Sequence, residues 1–127
     1  MTSEIQNISL NDYLKQDFPI KKFDDAYIDE WNNRSFFAQM LDAWGEMNYT
    51  LQSFENNDND DVIVQHLNSL HDVCCLFYNN PNNLDGEKES LKIAEWEFNN
   101  YVTGKTNDSS CIKWFNQWNN DINFDLL

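Results

Sequence analysis

The sequence predicts an all-α protein, a single-domain bundle of four to five helices. Of its 127 residues only 3 are Gly and 2 are Pro, too few for the many tight turns of a β-protein. Apolar residues recur instead at spacings of three and four, as on helices with one buried face. Hydrophobic residues make up 41% of the chain, which suffices for one core without disulfides or metals. We therefore predict one acidic helical domain over residues 1–127.

A short first helix is predicted after a loose lead-in at residues 1–8. Ser9 and Asp12 have the spacing of a capping box, in which a side chain at the start of a helix accepts a backbone N–H of the first turn. Proline disfavours a helical conformation in the residue before it, so Pro19 is expected to end this helix.

A second helix is predicted to begin at Asp24 and Asp25, because acidic side chains stabilise a helix N-terminus. Tyr27, Ile28 and Trp31 would form its apolar side.

The long helix predicted at residues 35–55 is the centre of the expected bundle, and Ser35 is its expected N-cap. Gln39 is assigned to a solvent-facing side. Gly45 is expected to permit the close approach of another helix, since glycine in a helix interior otherwise costs about 1 kcal/mol. The predicted core face consists of Phe37, Met40, Leu41, Trp44, Met47, Leu51 and Phe54.

A polar, acidic linker at residues 56–61 separates this helix from a third one at residues 62–78. The two are expected to form an antiparallel hairpin. The seam of the third helix is predicted to be Ile63, Leu67, Leu70, Cys74 and Phe77.

A fourth helix is predicted at residues 87–102, with Gly104 just beyond its end. Ile93 and Trp96 form a second apolar stripe that another segment must cover. The expected cover is a helix from Ser109 or Ser110 to about Asn119. The tail at residues 120–127 is expected to dock back on the core, the alternative being that it binds a partner. The core stripe of the fourth helix is predicted to be Leu91, Ala94, Phe98, Tyr101 and Val102.

The charge balance limits the partners of this chain. Its formal net charge is −14, so nucleic acids and anionic membranes would repel it, and a charged partner is expected to be basic. Three cysteines, two of them adjacent, fit a reducing compartment, and no secretion signal or apolar run of about 20 residues is visible. We predict a cytoplasmic protein.

No motif predicts catalysis, a metal or another cofactor. His71 with Cys74 or Cys75 has a spacing that lets two side chains meet a metal, but no second pair completes a zinc site. A cysteine nucleophile with His71 as its base would need a third group to orient the pair, and adjacent positions on one helix do not provide that preorganisation. Asp58, Asp60 and Asp61 resemble a calcium loop without its required Gly and Glu. We predict that the protein is not an enzyme.

The strongest functional signal is the segregation of charge. No Lys or Arg occurs between Arg34 and Lys88, although helical surfaces are usually stabilised by charges of both signs. We predict that this surface binds a basic partner, with aromatic side chains as anchors. The predicted partner-binding acids are Asp24, Asp25, Asp29, Glu30, Asp42, Glu46, Glu55, Asp58, Asp60 and Asp61, and the predicted anchors are Trp31, Tyr49 and Trp96.

Two classes of function fit such a surface. The favoured class is an immunity protein or antitoxin that masks the basic groove of a nuclease-type toxin. The alternative is a phage anti-CRISPR or anti-restriction protein whose carboxylates imitate nucleic-acid phosphates, although a duplex carries a charge every ~1.7 Å, and the acids here are clustered. A small acidic secretion chaperone is less well supported, because Ile93 and Trp96 alone suggest an exposed apolar face.

Overall fold

The computed structural model describes residues 8–20 and 22–104, and within these ranges the protein is built from helices without strands. This confirms the predicted fold class. The helices are α1 (Leu10–Lys15), α2 (Asp25–Asn32), α3 (Phe36–Glu55), α4 (Asp60–Tyr78) and α5 (Asp85–Val102). None of the described helices is long and apolar enough to cross a lipid bilayer.

Four of these helices begin at a polar side chain that accepts a hydrogen bond from the backbone N–H three residues later. The four caps are Ser9, Asp24, Ser35 and Asn59. The first three starts agree with the sequence prediction. Asn59 was assigned to the linker, so α4 begins two residues earlier than predicted.

The first helix ends at Lys15, well before Pro19, so proline is not its terminator. The chain is extended at Gln16, and two residues later the ring of Phe18 packs against Tyr13 and His71, with centroid separations of 5.0 and 4.8 Å. A continued helix would not carry Phe18 across to α4. Tertiary packing therefore ends α1.

The hairpin of α3 and α4 is the centre of the core, as predicted. All five predicted seam residues of α4 are buried, together with Met47 and Leu51 of α3 and Leu91, Phe98 and Val102 of α5. These side chains belong to one hydrophobic cluster, which is completed by partly buried residues such as Phe18 and Trp44.

The buried face of α3 is rotated from the predicted one. Phe37 is 46% exposed, whereas Gln39, assigned to solvent, is 1% exposed. The Gln39 side-chain oxygen accepts hydrogen bonds from the amides of Asn80 and Asn83 at 3.2 and 2.9 Å. Its nitrogen donates to the Arg34 carbonyl at 3.0 Å. With both ends of the amide bonded, burial of Gln39 leaves no polar group unsatisfied.

The expected close approach at Gly45 is wrong. A Cβ atom placed on Gly45 would meet no heavy atom within 4 Å, and α3 continues through this position. Gly45 instead lines an open groove.

The second apolar stripe of α5, which includes Trp96, is contacted by the residue that precedes Ser9 and α1. The Trp96 indole N–H donates to the Ile8 carbonyl at 2.7 Å. The predicted helix over residues 109–119 and the tail at 120–127 lie outside the described residues.

Candidate functional site

An open groove of about 530 Å³ runs between α2, α3 and α4. Successive turns of α3 contribute one of its walls, and α4, antiparallel to α3, contributes the facing wall. The lining residues are Phe23, Tyr27, Leu41, Asp42, Gly45, Glu46, Tyr49, Ser69, Asp72 and Val73.

Three carboxylates meet in this groove, from Asp42, Glu46 and Asp72. Partial burial raises the pKa of Glu46, and the charges of Asp42 and Asp72 raise it further, against an opposing effect of His66. Asp72 is paired with Lys22 at 2.9 Å, and Asp42 with Arg34. Within the described residues, the side-chain carboxylate of Glu46 has no ion-pair or hydrogen-bond partner, although its backbone carbonyl accepts the Thr50 hydroxyl at 2.8 Å. The groove therefore concentrates negative charge that the described part of the chain only partly neutralises.

Two exposed tyrosines flank these carboxylates. Tyr27 is 41% and Tyr49 57% exposed. The Tyr27 ring is stacked on Phe23, with centroids 4.8 Å apart, and the Tyr49 ring lies parallel to His66 at 6.4 Å. Both rings are thus supported on one side. Aromatic faces beside carboxylates suit a cationic side chain, which can interact with both.

A second polar cluster lies inside the bundle, around Glu95 of α5. Glu95 is only 1% exposed, and its carboxylate accepts hydrogen bonds from the hydroxyls of Tyr13 on α1 and Tyr78 on α4. One of its oxygens, Oε1, lies 2.7 Å from Nδ1 of His71. Three helices therefore meet at one buried carboxylate.

The His71 ring lies between Glu95 and Cys75: its Nδ1 faces Glu95, and its Nε2 lies 3.5 Å from Sγ of Cys75. Burial by itself lowers the pKa of His71, but hydrogen bonds with Cys75 and Glu95 and the charge of Glu95 outweigh burial and raise that pKa to about 10. His71 and Glu95 thus form a buried ion pair at neutral pH. Burial and the charge of Glu95 also raise the pKa values of Tyr13 and Cys74, so both keep their protons.

No protein-family model, curated protein or solved structure matches this chain.

The structure brings only some of the predicted partner-binding residues together. Asp42, Glu46 and Tyr49 share the groove. Asp61 lies at the start of α4, about 16 Å along the helix axis from Asp72, at a rise of 1.5 Å per residue. A short turn joins α3 to α4, and it groups four of the predicted acids: Glu55, Asp58, Asp60 and Asp61. Three more are exposed on α2, namely Asp25, Asp29 and Glu30.

Three predicted residues already have structural roles. Trp31 is 2% exposed in the core, so it is not available as an anchor for a partner. The Asp24 side chain caps α2 by accepting the N–H of Tyr27 at 2.8 Å. Trp96 is partly buried beneath the chain that precedes α1.

The sequence prediction missed Tyr27 and Asp72 as groove residues. It also discounted a preorganised His71, whereas the Glu95 carboxylate lies 2.7 Å from Nδ1 of that ring. Glu95 was detectable in principle, since it lies four residues after Leu91 and three before Phe98, within the apolar stripe of α5. An acid in that position needs a buried partner. Within the described part of the chain, no set of three or more His, Cys, Asp or Glu side chains could hold a metal ion.

Proposed function

We propose that this protein is an inhibitor without enzymatic activity that binds and masks a basic surface of a partner protein. The observation that supports the proposal is the groove, in which Asp42, Glu46 and Asp72 lie together with the exposed rings of Tyr27 and Tyr49. A guanidinium or ammonium group that entered it would contact several carboxylates and an aromatic face.

The raised pKa of Glu46 gives this interaction an energetic basis. Its carboxylate is destabilised by burial and by the neighbouring charges of Asp42 and Asp72. A bound cation would relieve that repulsion and stabilise the ionised form. Removing one member of such a charge pair at an interface typically costs about 2–5 kcal/mol of binding free energy.

Long-range electrostatics supports the same kind of partner. The net charge of −14 would attract a basic protein from a distance and raise its association rate. Arg and Lys are the residues that proteins use to bind nucleic-acid phosphates, so a nuclease exposes a surface of the matching sign.

We therefore favour an immunity protein or antitoxin that neutralises a nuclease-type toxin. The proposed inhibitor acts in the cytoplasm, where Cys74 and Cys75 stay as free thiols. It needs no cofactor and has no direct interaction with nucleic acid or membrane.

Nucleic-acid mimicry is the alternative for the same surface, in a phage anti-CRISPR or anti-restriction protein. The exposed acids support it less, because they are divided among the groove, α2 and the turn between α3 and α4 instead of forming a long regular row. A secretion chaperone is also less favoured, since Trp96 is hydrogen-bonded to Ile8 and partly buried.

The test is affinity capture from the native host and from bacteria with CRISPR or restriction systems, followed by the kinetics of binding to the captured protein. The groove variant combines Asp42→Asn with Glu46→Gln. Its control combines Asp85→Asn with Glu89→Gln, which removes the same charge from two exposed positions on α5 that are not among the predicted partner-binding residues. We expect the groove variant to bind the captured basic protein at least about tenfold more weakly, and the control to bind nearly as well as the wild type.

The identity of the captured protein separates the two functions. A basic nuclease toxin whose activity the wild-type protein blocks supports immunity, whereas a Cas or restriction subunit supports mimicry. Equal affinity of the groove variant and its control would exclude the groove as the binding site. Capture of an acidic protein would contradict the proposal as a whole.

A further inference from the structure

A smaller cavity of about 260 Å³ lies on another side of α4. Four residues of this helix line it, at relative positions zero, three, four and seven, so they share one helical face. The other walls come from the segment between α1 and α2. The residues from α4 are Asn68, His71, Asp72 and Cys75, and those from the segment are Gln16, Asp17, Phe18, Pro19, Ile20, Lys22 and Phe23.

Cys75 lines this cavity beside the ring of His71. Its sulfur lies 3.5 Å from Nε2 of His71, and Nδ1 of the same ring lies 2.7 Å from Glu95. Thiol, imidazole and carboxylate thus follow one another in the order of a cysteine nucleophile, the histidine that shares its proton, and a third group that fixes the orientation of the histidine ring. Cys75 is 7% exposed, and both it and His71 line the cavity, so a small molecule there can reach the sulfur.

The adjacent cysteine does not line the cavity. Cys74 is fully buried in the hydrophobic cluster, and burial raises the pKa of its thiol. The two neighbouring thiols therefore differ in access and in environment, which makes Cys74 an internal reference for Cys75.

We propose that Cys75, with His71 and Glu95, is a nucleophilic thiol that accepts the acyl group of a small activated ester or thioester bound in the cavity. This cavity adjoins the groove, since Phe23 and Asp72 line both, but Cys75 and His71 line the cavity alone and the reaction needs no protein partner. The reaction is one acylation of the chain, not a cycle of turnover.

The chemistry of the step balances within these groups. The sulfur of Cys75 forms a bond to the carbonyl carbon, and the carbonyl π electrons move to its oxygen. When the carbonyl reforms, the bond to the leaving oxygen or sulfur breaks. The proton shared by Cys75 and His71 passes from Nε2 to that leaving atom, giving an alcohol or thiol and a thioester on Cys75. Glu95 is a positioning residue, because it holds the His71 ring without touching the acyl donor.

The cavity limits the acyl donor to a small one. Its volume is below the roughly 300–1,000 Å³ of drug-sized ligand pockets, so it fits a short acyl group. One wall of the cavity is apolar and consists of Phe18, Pro19 and Ile20. Such a wall suits the hydrocarbon part of an acyl group. Asn68 lines the same cavity, and we assign its side-chain amide as the donor for the oxygen that gains charge during attack.

The experiment uses para-nitrophenyl acetate as the acyl donor and the full chain as the acceptor. Released para-nitrophenolate gives the rate, and intact mass with peptide mapping gives the site. We expect one acetyl group per chain, on Cys75, added on the order of a hundredfold faster than to glutathione at the same pH. The Cys75→Ala variant should lose this fast phase, and the Cys74→Ala variant should retain it.

The role of the positioning residue is tested with Glu95→Gln, which keeps an oxygen for the hydroxyl donors. Its fast phase should slow by more than tenfold and its pH profile should shift, a change that loss of packing alone would not produce. Folding of each variant is checked by circular dichroism. Acetylation of Cys75 in the wild type no faster than that of glutathione, or acetylation at other residues instead, overturns the proposal, and this comparison requires no variant to fold. Neither outcome bears on partner binding by the groove.

Discussion

The carboxylate of Glu95 lies 2.7 Å from the imidazole of His71, and this contact joins α5 to α4 inside the bundle. The same carboxylate accepts the Tyr13 hydroxyl from α1. The partners of this buried carboxylate come from α1 and α4, so it fixes how these two helices pack on α5, and its loss would leave several polar groups without partners.

Replacing Glu95 with Ala should destabilise the fold by about 3–5 kcal/mol, since it leaves the His71 charge buried and unpaired. Urea unfolding followed by circular dichroism measures this change. Glu89→Ala, at an exposed position on the same helix, is the matched control and should stay within about 0.5 kcal/mol of the wild type. A loss below about 1 kcal/mol for Glu95→Ala would show that the ion pair is not important for stability.

Stability should fall as the pH rises above neutrality. His71 has a pKa of about 10 in the folded protein, against 6.5 for an unperturbed histidine. Between these two pH values the folded state therefore binds more protons than the unfolded state. The stabilisation is complete below about pH 6.5 and is lost as the pH rises to about 10. The raised pKa of Cys74 acts in the same direction above pH 9.0.

The free energy of unfolding in urea, measured at intervals from pH 6 to pH 10, tests this dependence. The His71→Gln variant is the control and should show a much flatter profile below pH 9.0, because the titrating group is absent. A wild-type stability that is constant or rises over this range would contradict the buried ion pair.

The Tyr13→Phe variant tests how α1 is held on the bundle. It removes one hydroxyl and leaves the ring, so the expected loss is that of a hydrogen bond to a charged group, about 1.5–3 kcal/mol. Tyr27→Phe removes the same atom from an exposed side chain and should change stability by less than about 0.5 kcal/mol. Equal effects of the two changes would mean that the Tyr13 hydroxyl contributes nothing specific.

The Gly45→Ala variant separates stability from binding. Because a methyl group at this position meets no other atom, the better helix propensity of alanine should stabilise the protein by up to about 1 kcal/mol. Gly45 lines the groove, so the same methyl group would project into it and should weaken binding of the captured basic partner. Thermal unfolding and binding kinetics on one sample measure both effects. A variant that is more stable and binds as well as the wild type would argue against use of this part of the groove.

Local patterns were sufficient to predict much of this fold. The caps at Ser9, Asp24 and Ser35 depend on residues within one turn, and the seam of α4 depends on spacing alone. The burial of Gln39 was not predictable in this way, because its partners Asn80 and Asn83 lie about 40 residues further along the chain.

The candidate sites were less predictable for the same reason. The sequence indicated Asp42, Glu46 and Tyr49 through the absence of basic residues, but only the packing of α2 and α4 brings Tyr27 and Asp72 beside them. The triad of Cys75, His71 and Glu95 likewise requires knowledge of which helices are neighbours.

The bonds of Gln39 to Asn80 and Asn83 have a consequence for how the surface can change. Amides carry no charge and do not titrate in the ordinary pH range, so this junction between α3 and the loop after α4 holds at any ionic strength. The acids on the outside of the molecule can therefore be gained, lost or exchanged without loosening that end of the hairpin. A lineage under pressure to match a changing partner could alter its surface charge while keeping its scaffold.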